Sequence, residues 1–248
     1  MNITIIDDIK TYLKAHLLAW QHPVILGIVF ATALFFMGFH YLLFSSINLL
    51  AQTGKTLGFF DYLMLPLAHI FENTLQFFIV AAVAYYVPNR PSAGISQSFK
   101  VASDKFPALA LFGIIQYLFS RTLFAGIPQL SFIILLIDSI IRVFLLFYAT
   151  QFVLFKANNA IFAMVESSKL VLKTIVAVLI SLAAAYVLVT LIHYFITFFQ
   201  IKFITDTTTT AITSKLPLFL DYFVASYLKL VTLGIFATLL YRQQKNIN

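Results

Sequence analysis

Cysteine is absent from all 248 residues, which excludes disulfides and thiolate metal centres and says nothing about compartment. Charge is scarce too: Asp, Glu, Lys and Arg make up 10% of the chain, against roughly 25% in a soluble domain. So little polar surface cannot coat a water-soluble globule, and lipid must solvate much of the exterior. Several motifs are missing as well. There is no Walker A loop and no dinucleotide fingerprint, no voltage-sensor ladder of arginines and no selectivity-filter run of glycines. The eight glycines are not spaced for close helix packing within a span. A cleavable signal peptide is not expected, because Asp7 and Asp8 stand where an early apolar core belongs. The first span then serves as its own insertion signal.

What the chain does contain is apolar side chain, 61% of it by residue, including 28 Phe. Inside lipid every backbone N–H and C=O needs an internal partner, so only helices and closed barrels cross. The apolar runs are long and continuous rather than alternating with period two, which selects helices. Phenylalanine suits lipid and helix contacts under any functional reading and does not choose among them. The net charge of +7 comes from basic residues scattered between apolar runs. That is a pattern of membrane topology rather than of nucleic-acid binding, and no nucleic-acid partner is expected.

The hydropathy pattern predicts six spans: Pro23–Leu49, Tyr62–Val87, Pro107–Ile127, Ser131–Phe155, Thr174–Phe199 and Pro217–Tyr241. Each exceeds the ~20 residues needed for a hydrocarbon core of ~30 Å. Breakers separate them, at Thr53-Gly54-Lys55, Pro88–Pro91, Gly126–Gln129, Asn158-Asn159 and the Thr205–Thr210 tract. Lys10, Lys14, Arg90, Lys100, Lys105, Lys156, Lys169, Lys173, Arg242 and Lys245 fall on one side. Only Lys55, Lys202 and Lys215 fall on the other. By the positive-inside rule both termini are expected in the cytoplasm.

Three cytoplasmic stretches read as short amphipathic helices that precede a span. In the first, Ile5, Ile6, Ile9, Leu13, Leu17 and Trp20 recur at helical spacing, apart from Asp7, Lys10 and Lys14. The others are Ile95–Lys105 and Ala160–Lys173. Each could lie in the headgroup plane or pack under the bundle as a linker, and the pattern leaves both open. Ser98–Ser103 can be laid on Ala163–Ser168, and the same offset sets span two over span four, with Glu72 one position from Asp138. The expected fold is therefore an all-α integral membrane domain with six transmembrane helices. It has short cytoplasmic amphipathic helices and a three-fold tandem hairpin repeat.

Ionisable groups inside the spans are costly and normally find partners. Glu72, Asp138 and Asp221 face the count of Arg121, Arg142 and Lys229, so the set can neutralise internally. Asp138 and Arg142 are four apart with the acid first, the favourable order. Polar stripes accompany them: Tyr186, Thr190, His193, Thr197 and Gln200; His69, Glu72, Asn73 and Gln76; Tyr222, Ser226 and Lys229. The set His69, Glu72, Arg121, Asp138, Arg142, His193, Asp221 and Lys229 is thus a cavity lining or a salt-bridge network. His69 and Glu72 are half of a helix-borne metal site. The second His of HExxH or HxxEH is missing, and only tertiary proximity of His40 and His193 could complete it. Phe36…His40 followed by His69…Asn73 is similar to two motifs of membrane-embedded CAAX-processing proteases. Their paired glutamates are absent here, so no general base is supplied.

The stretch Ala160-Ile161-Phe162-Ala163-Met164-Val165-Glu166-Ser167-Ser168-Lys169-Leu170 resembles a segment of the YciC-like bacterial inner-membrane proteins. The likeness runs from about Ser96 to the C-terminus and takes in the Gly126-Ile127-Pro128 turn. Relatives include the membrane domain of some glycerophosphodiester phosphodiesterases, which carries no catalytic centre. The resemblance implies a six-span fold and a bacterial inner membrane, and brings no activity. The leading expectation is a non-enzymatic, multi-pass inner-membrane protein with an accessory or envelope-maintenance role. It carries no cofactor, and its partners are the bilayer and other membrane proteins. The runner-up is a small permease or lipid- or solute-handling protein with a polar cavity opening outward. The third is an intramembrane metal-dependent hydrolase.

Overall fold

In a computed structural model of the chain, residues 5–52, 59–89, 94–121, 140–156, 159–204 and 211–246 are described. Every element among them is helical. In chain order they are α1 (Ile5–Gln21), α2 (Pro23–Gln52), α3 (Phe59–Asn89), α4 (Ile95–Asp104) and α5 (Phe106–Arg121). Then follow α6 (Ala149–Lys156), α7 (Ala160–Lys173), α8 (Ile175–Ile204), α9 (Ala211–Lys229), a π-helical segment (Leu230–Phe236) and α10 (Ala237–Asn246). Residues 140–146 are also helical.

Four stretches among the described residues are long and apolar enough to cross a membrane: Pro23–Leu43, Pro66–Asn89, Ile175–Ile192 and Phe219–Gln244. Phe106–Leu118 is a shorter apolar helix. Residues 122–139 lie outside the description, and with them the expected tight hairpin at Gly126–Gln129 and the start of the expected fourth span.

Three times a helix meets a longer one across a single residue, at His22, Lys105 and Thr174. The local chemistry accounts for the breaks. Pro23 has no N–H to give the preceding turn, yet it suits the first position of the next helix. Lys105 and Thr174 leave helical geometry, at φ −101° and −118°. Their N–H groups still close the last turn, onto Ala102 and Ser103 O and onto Leu170 and Val171 O. The start of α7 is capped by Asn159, whose side chain accepts the Phe162 N–H at 2.8 Å.

The chain divides into two compact units, residues 1–56 with 176–232 and residues 57–175 with 233–248. In the first unit α2 packs along α9, with Phe30 edge-on to Phe219 at 5.4 Å. In the second, α3 and α5 form an antiparallel pair. His69 stacks on Tyr117, Thr74 lies against Gly113, Phe77 meets Phe112 and Phe78 meets Phe106. The numbers rise on one helix as they fall on the other.

Within this pair a Cβ on Gly113 would sit 2.7 Å from the Thr74 N and 2.8 Å from its Cα. The glycines lack the spacing of a packing motif, yet Gly113 serves a close approach by itself. A single glycine suffices where the opposing backbone arrives at that residue, and no GxxxG spacing is required.

The second unit also holds α7 and α10. Ser167, fully buried on α7, accepts from the Tyr148 N at 3.0 Å and donates to the Phe144 O at 3.1 Å. Tyr148 OH and Thr174 Oγ1 are 2.8 Å apart. On α10, Tyr241 stacks edge-on to Phe152 and flat on Phe155.

Candidate functional site

The polar residues of α3 follow helical spacing. His69, Glu72 and Gln76 stand three and four residues apart, so they share one face. Gln76 Nε2 donates to Glu72 Oε1 at 3.1 Å, and His69 Nδ1 lies 3.7 Å from Glu72 Oε2. The imidazole is stacked on Tyr117 at 6.3 Å with 16° between planes. The carboxylate is thus met by an amide donor on one oxygen and has an imidazole near the other. Arg142, in the helical stretch 140–146, is half-buried.

In the first unit His40 Nδ1 is hydrogen-bonded to Tyr222 OH, tying α2 to α9. Asp221 is exposed and Lys229 half-buried. On α8, Tyr186 is 73% exposed, and Thr190 returns its hydroxyl to the Tyr186 O at 2.9 Å. Of the expected site residues, Asp138 and the side chains of Arg121 and His193 lie outside the described residues. The expected Asp138–Arg142 pair and the lower part of the α8 stripe lie there with them. Among the described residues His69 is brought beside Glu72. Among the described residues no three His, Asp or Glu side chains gather as a metal site.

A second polar cluster anchors α1. Its buried face consists of Asp8, Thr11, Tyr12, Ala15 and Ala19. His16 Nδ1 lies 2.9 Å from Tyr227 OH, and Tyr12 approaches Thr232. Burial pushes the Asp8 carboxyl above its usual range, with Asp7 adding to the effect. Burial also pulls the His16 imidazole below its ordinary value of 6.5 and raises the Tyr12 phenol. On α7 the reverse holds for Glu166. A 2.7 Å bond from Lys169 leads, with Lys156 and Lys173 adding to it, and the carboxyl is held below its usual range.

Sequence reasoning passed over the polar knot at the π-helical segment. Gln151, 0% exposed, donates through Nε2 to the Leu233 O at 2.7 Å and to Thr238 Oγ1 at 3.3 Å. Thr238 in turn donates to the Gly234 O at 2.6 Å. A π turn loosens the regular carbonyl ladder, and side-chain donors fit the altered carbonyls. The available signal was a lone glutamine inside an apolar run.

Chemically, these groups are hydrogen-bonded links between and along helices. Among the described residues, His16 with Tyr227 and His40 with Tyr222 join helices, whereas Gln76 and His69 meet Glu72 along one helix. No family model, curated protein or solved structure matches this chain.

Proposed function

We propose that the chain is a non-enzymatic, six-span bacterial inner-membrane protein with both termini in the cytoplasm. It acts as an accessory or envelope-maintenance component alongside other membrane proteins. The reading rests on how the intramembrane polar groups are used. Glu72 is met by Gln76 and His69, and His40 is joined to Tyr222. The His40–Tyr222 contact joins two helices, and such contacts in lipid contribute about 0.6–2 kcal/mol each, which suits a scaffold held in register.

Two further features support the topology. A helix, a single-residue break and a longer helix recur at His22, Lys105 and Thr174, which fits three tandem units. The lysine and arginine distribution supports a cytoplasmic side for these helices. The likeness of Ala160–Leu170 to the YciC-like proteins adds the bacterial inner membrane.

The test replaces the chromosomal copy with His40→Phe, His69→Gln or Glu72→Gln. Membrane abundance and survival of detergent or hypo-osmotic challenge are scored beside a deletion strain. A scaffold role predicts that survival follows abundance in every variant. A variant at full abundance that behaves like the deletion would show a working site instead, and the permease reading would take its place.

A further inference from the structure

Helix α1 is oriented opposite to a helix that buries its oily side in its own protein. Its inward face carries Asp8, Thr11, Tyr12, Ala15 and Ala19. Its outward face carries Ile5, Ile6, Ile9, Leu13, Leu17 and Trp20, with Leu13 61% and Trp20 64% exposed. At about 100° per residue these six fill an arc of about 120°. Lys10, Lys14 and Gln21 come next around the helix, along one edge of that arc, and all three are exposed. Lys10 reaches Asp7 at 3.8 Å, a surface contact.

We propose that this outward arc of α1 is a lipid-docking surface. Its side chains sit among the acyl chains just below the headgroups, and Lys10 and Lys14 hold anionic phosphates at the edge. The inference rests on the membrane reading above and adds the surface, its depth and its headgroup preference. Three observations select lipid over a soluble partner. Only His22 separates α1 from α2, whose Pro23–Leu43 stretch is long enough to span, so the helix begins at the membrane edge. The lysines border the apolar arc rather than crossing it, which lets their stems run along the hydrocarbon while the ammonium groups reach the phosphates. Trp20, an interface-seeking residue, closes the arc at the end nearest the span.

Trp20 is the one tryptophan of the chain, so its fluorescence reports on α1 and on the Tyr227 ring 6.1 Å away. The full-length protein is reconstituted into phosphatidylcholine–phosphatidylglycerol vesicles and recovered by flotation. Vesicles carry bromine either near the headgroup end or near the tail end of the acyl chains. In a second pair, bromine sits only on the phosphatidylglycerol or only on an equal fraction of the phosphatidylcholine. Shallow bromine is expected to quench Trp20 more than deep bromine. Brominated phosphatidylglycerol is expected to quench more than brominated phosphatidylcholine, with local enrichment of up to roughly fivefold per lysine. Lys10→Gln with Lys14→Gln should equalise that second pair and leave the depth profile unchanged. Protein that floats while Trp20 ignores every brominated lipid overturns the docking surface. Equal quenching by both headgroup classes in the unmodified protein overturns the phosphate contact. Failure to float at all instead removes the membrane reading beneath both.

Discussion

Replacing Gly113 with alanine puts one methyl group into a close approach between α3 and α5. That carbon would lie 2.7 Å from the Thr74 N and 2.8 Å from the Thr74 Cα, where carbon atoms rest at about 3.5–4.0 Å. The obstacle is backbone in mid-helix, which has no rotamer to escape into. The helices must part by roughly 1 Å, at an overpacking cost of about 1–3 kcal/mol. Parting them also loosens the rings that pack across the pair, His69 on Tyr117 and Phe77 on Phe112. Alanine gains up to about 1 kcal/mol in helix propensity over glycine, so a reference variant is needed that gains propensity alone. Gly27→Ala supplies it, because nothing lies within 4 Å of its added carbon. Retention of the monodisperse peak on size exclusion after heating in detergent gives an apparent midpoint for each. Gly113→Ala should melt clearly below the wild type and Gly27→Ala at or above it. Adding Thr74→Ala removes the hydroxyl and leaves N and Cα in place, so it should rescue only part of the loss. Equal midpoints for Gly113→Ala and Gly27→Ala would refute the close crossing.

Three other outcomes are expected. Because burial lowers the His16 pKa, the fold favours neutral imidazole, so anchoring of α1 is fully present above the ordinary value of 6.5 and weakens as pH falls below it. Trp20 fluorescence should follow this change, and His16→Gln should abolish it. The raised Asp8 carboxyl has the opposite sign: its penalty is present at neutral pH and lifts as pH falls toward the ordinary value of 3.8. A second, reversed change in that lower window, lost in Asp8→Asn, would identify it. At the π-helical segment, Gln151→Leu forfeits two hydrogen bonds but also removes a buried oxygen with no partner among the described residues. It should cost only about 1 kcal/mol. Gln151→Glu buries a charge there and should cost about 3 kcal/mol or more. The same thermal assay orders the two, and equal effects would contradict the burial.

Much of the helix layout was legible because its signals are local. A capping asparagine at Asn159 and an apolar pattern out to Lys173 are enough to bound α7 at Ala160–Lys173. The pairing of His69 with Glu72 likewise follows from their spacing along one helix. The hidden features depend on a second chain segment. Gly113 looks like any glycine until Thr74 arrives opposite it. Gln151 looks like an isolated polar residue until the carbonyl of Leu233 lies within reach. Amphipathy told which residues of α1 share a face but not which way that face turns. The answer came from the small and polar residues that fill its inner side.

Six crossings with both ends of the chain in the cytoplasm form the claim on which the rest depends, and the absence of cysteine makes it directly measurable. Single cysteines are introduced at Lys10, Ser96, Gln243, Thr53, Gln129 and Thr208, and intact cells are treated with a membrane-impermeant maleimide before and after permeabilisation. The account predicts labelling of intact cells at Thr53→Cys, Gln129→Cys and Thr208→Cys. Lys10→Cys, Ser96→Cys and Gln243→Cys should label only after permeabilisation. Gln129→Cys behaving like Ser96→Cys would contradict it, because the segment from Phe106 to Lys156 would then turn back without crossing and leave four spans.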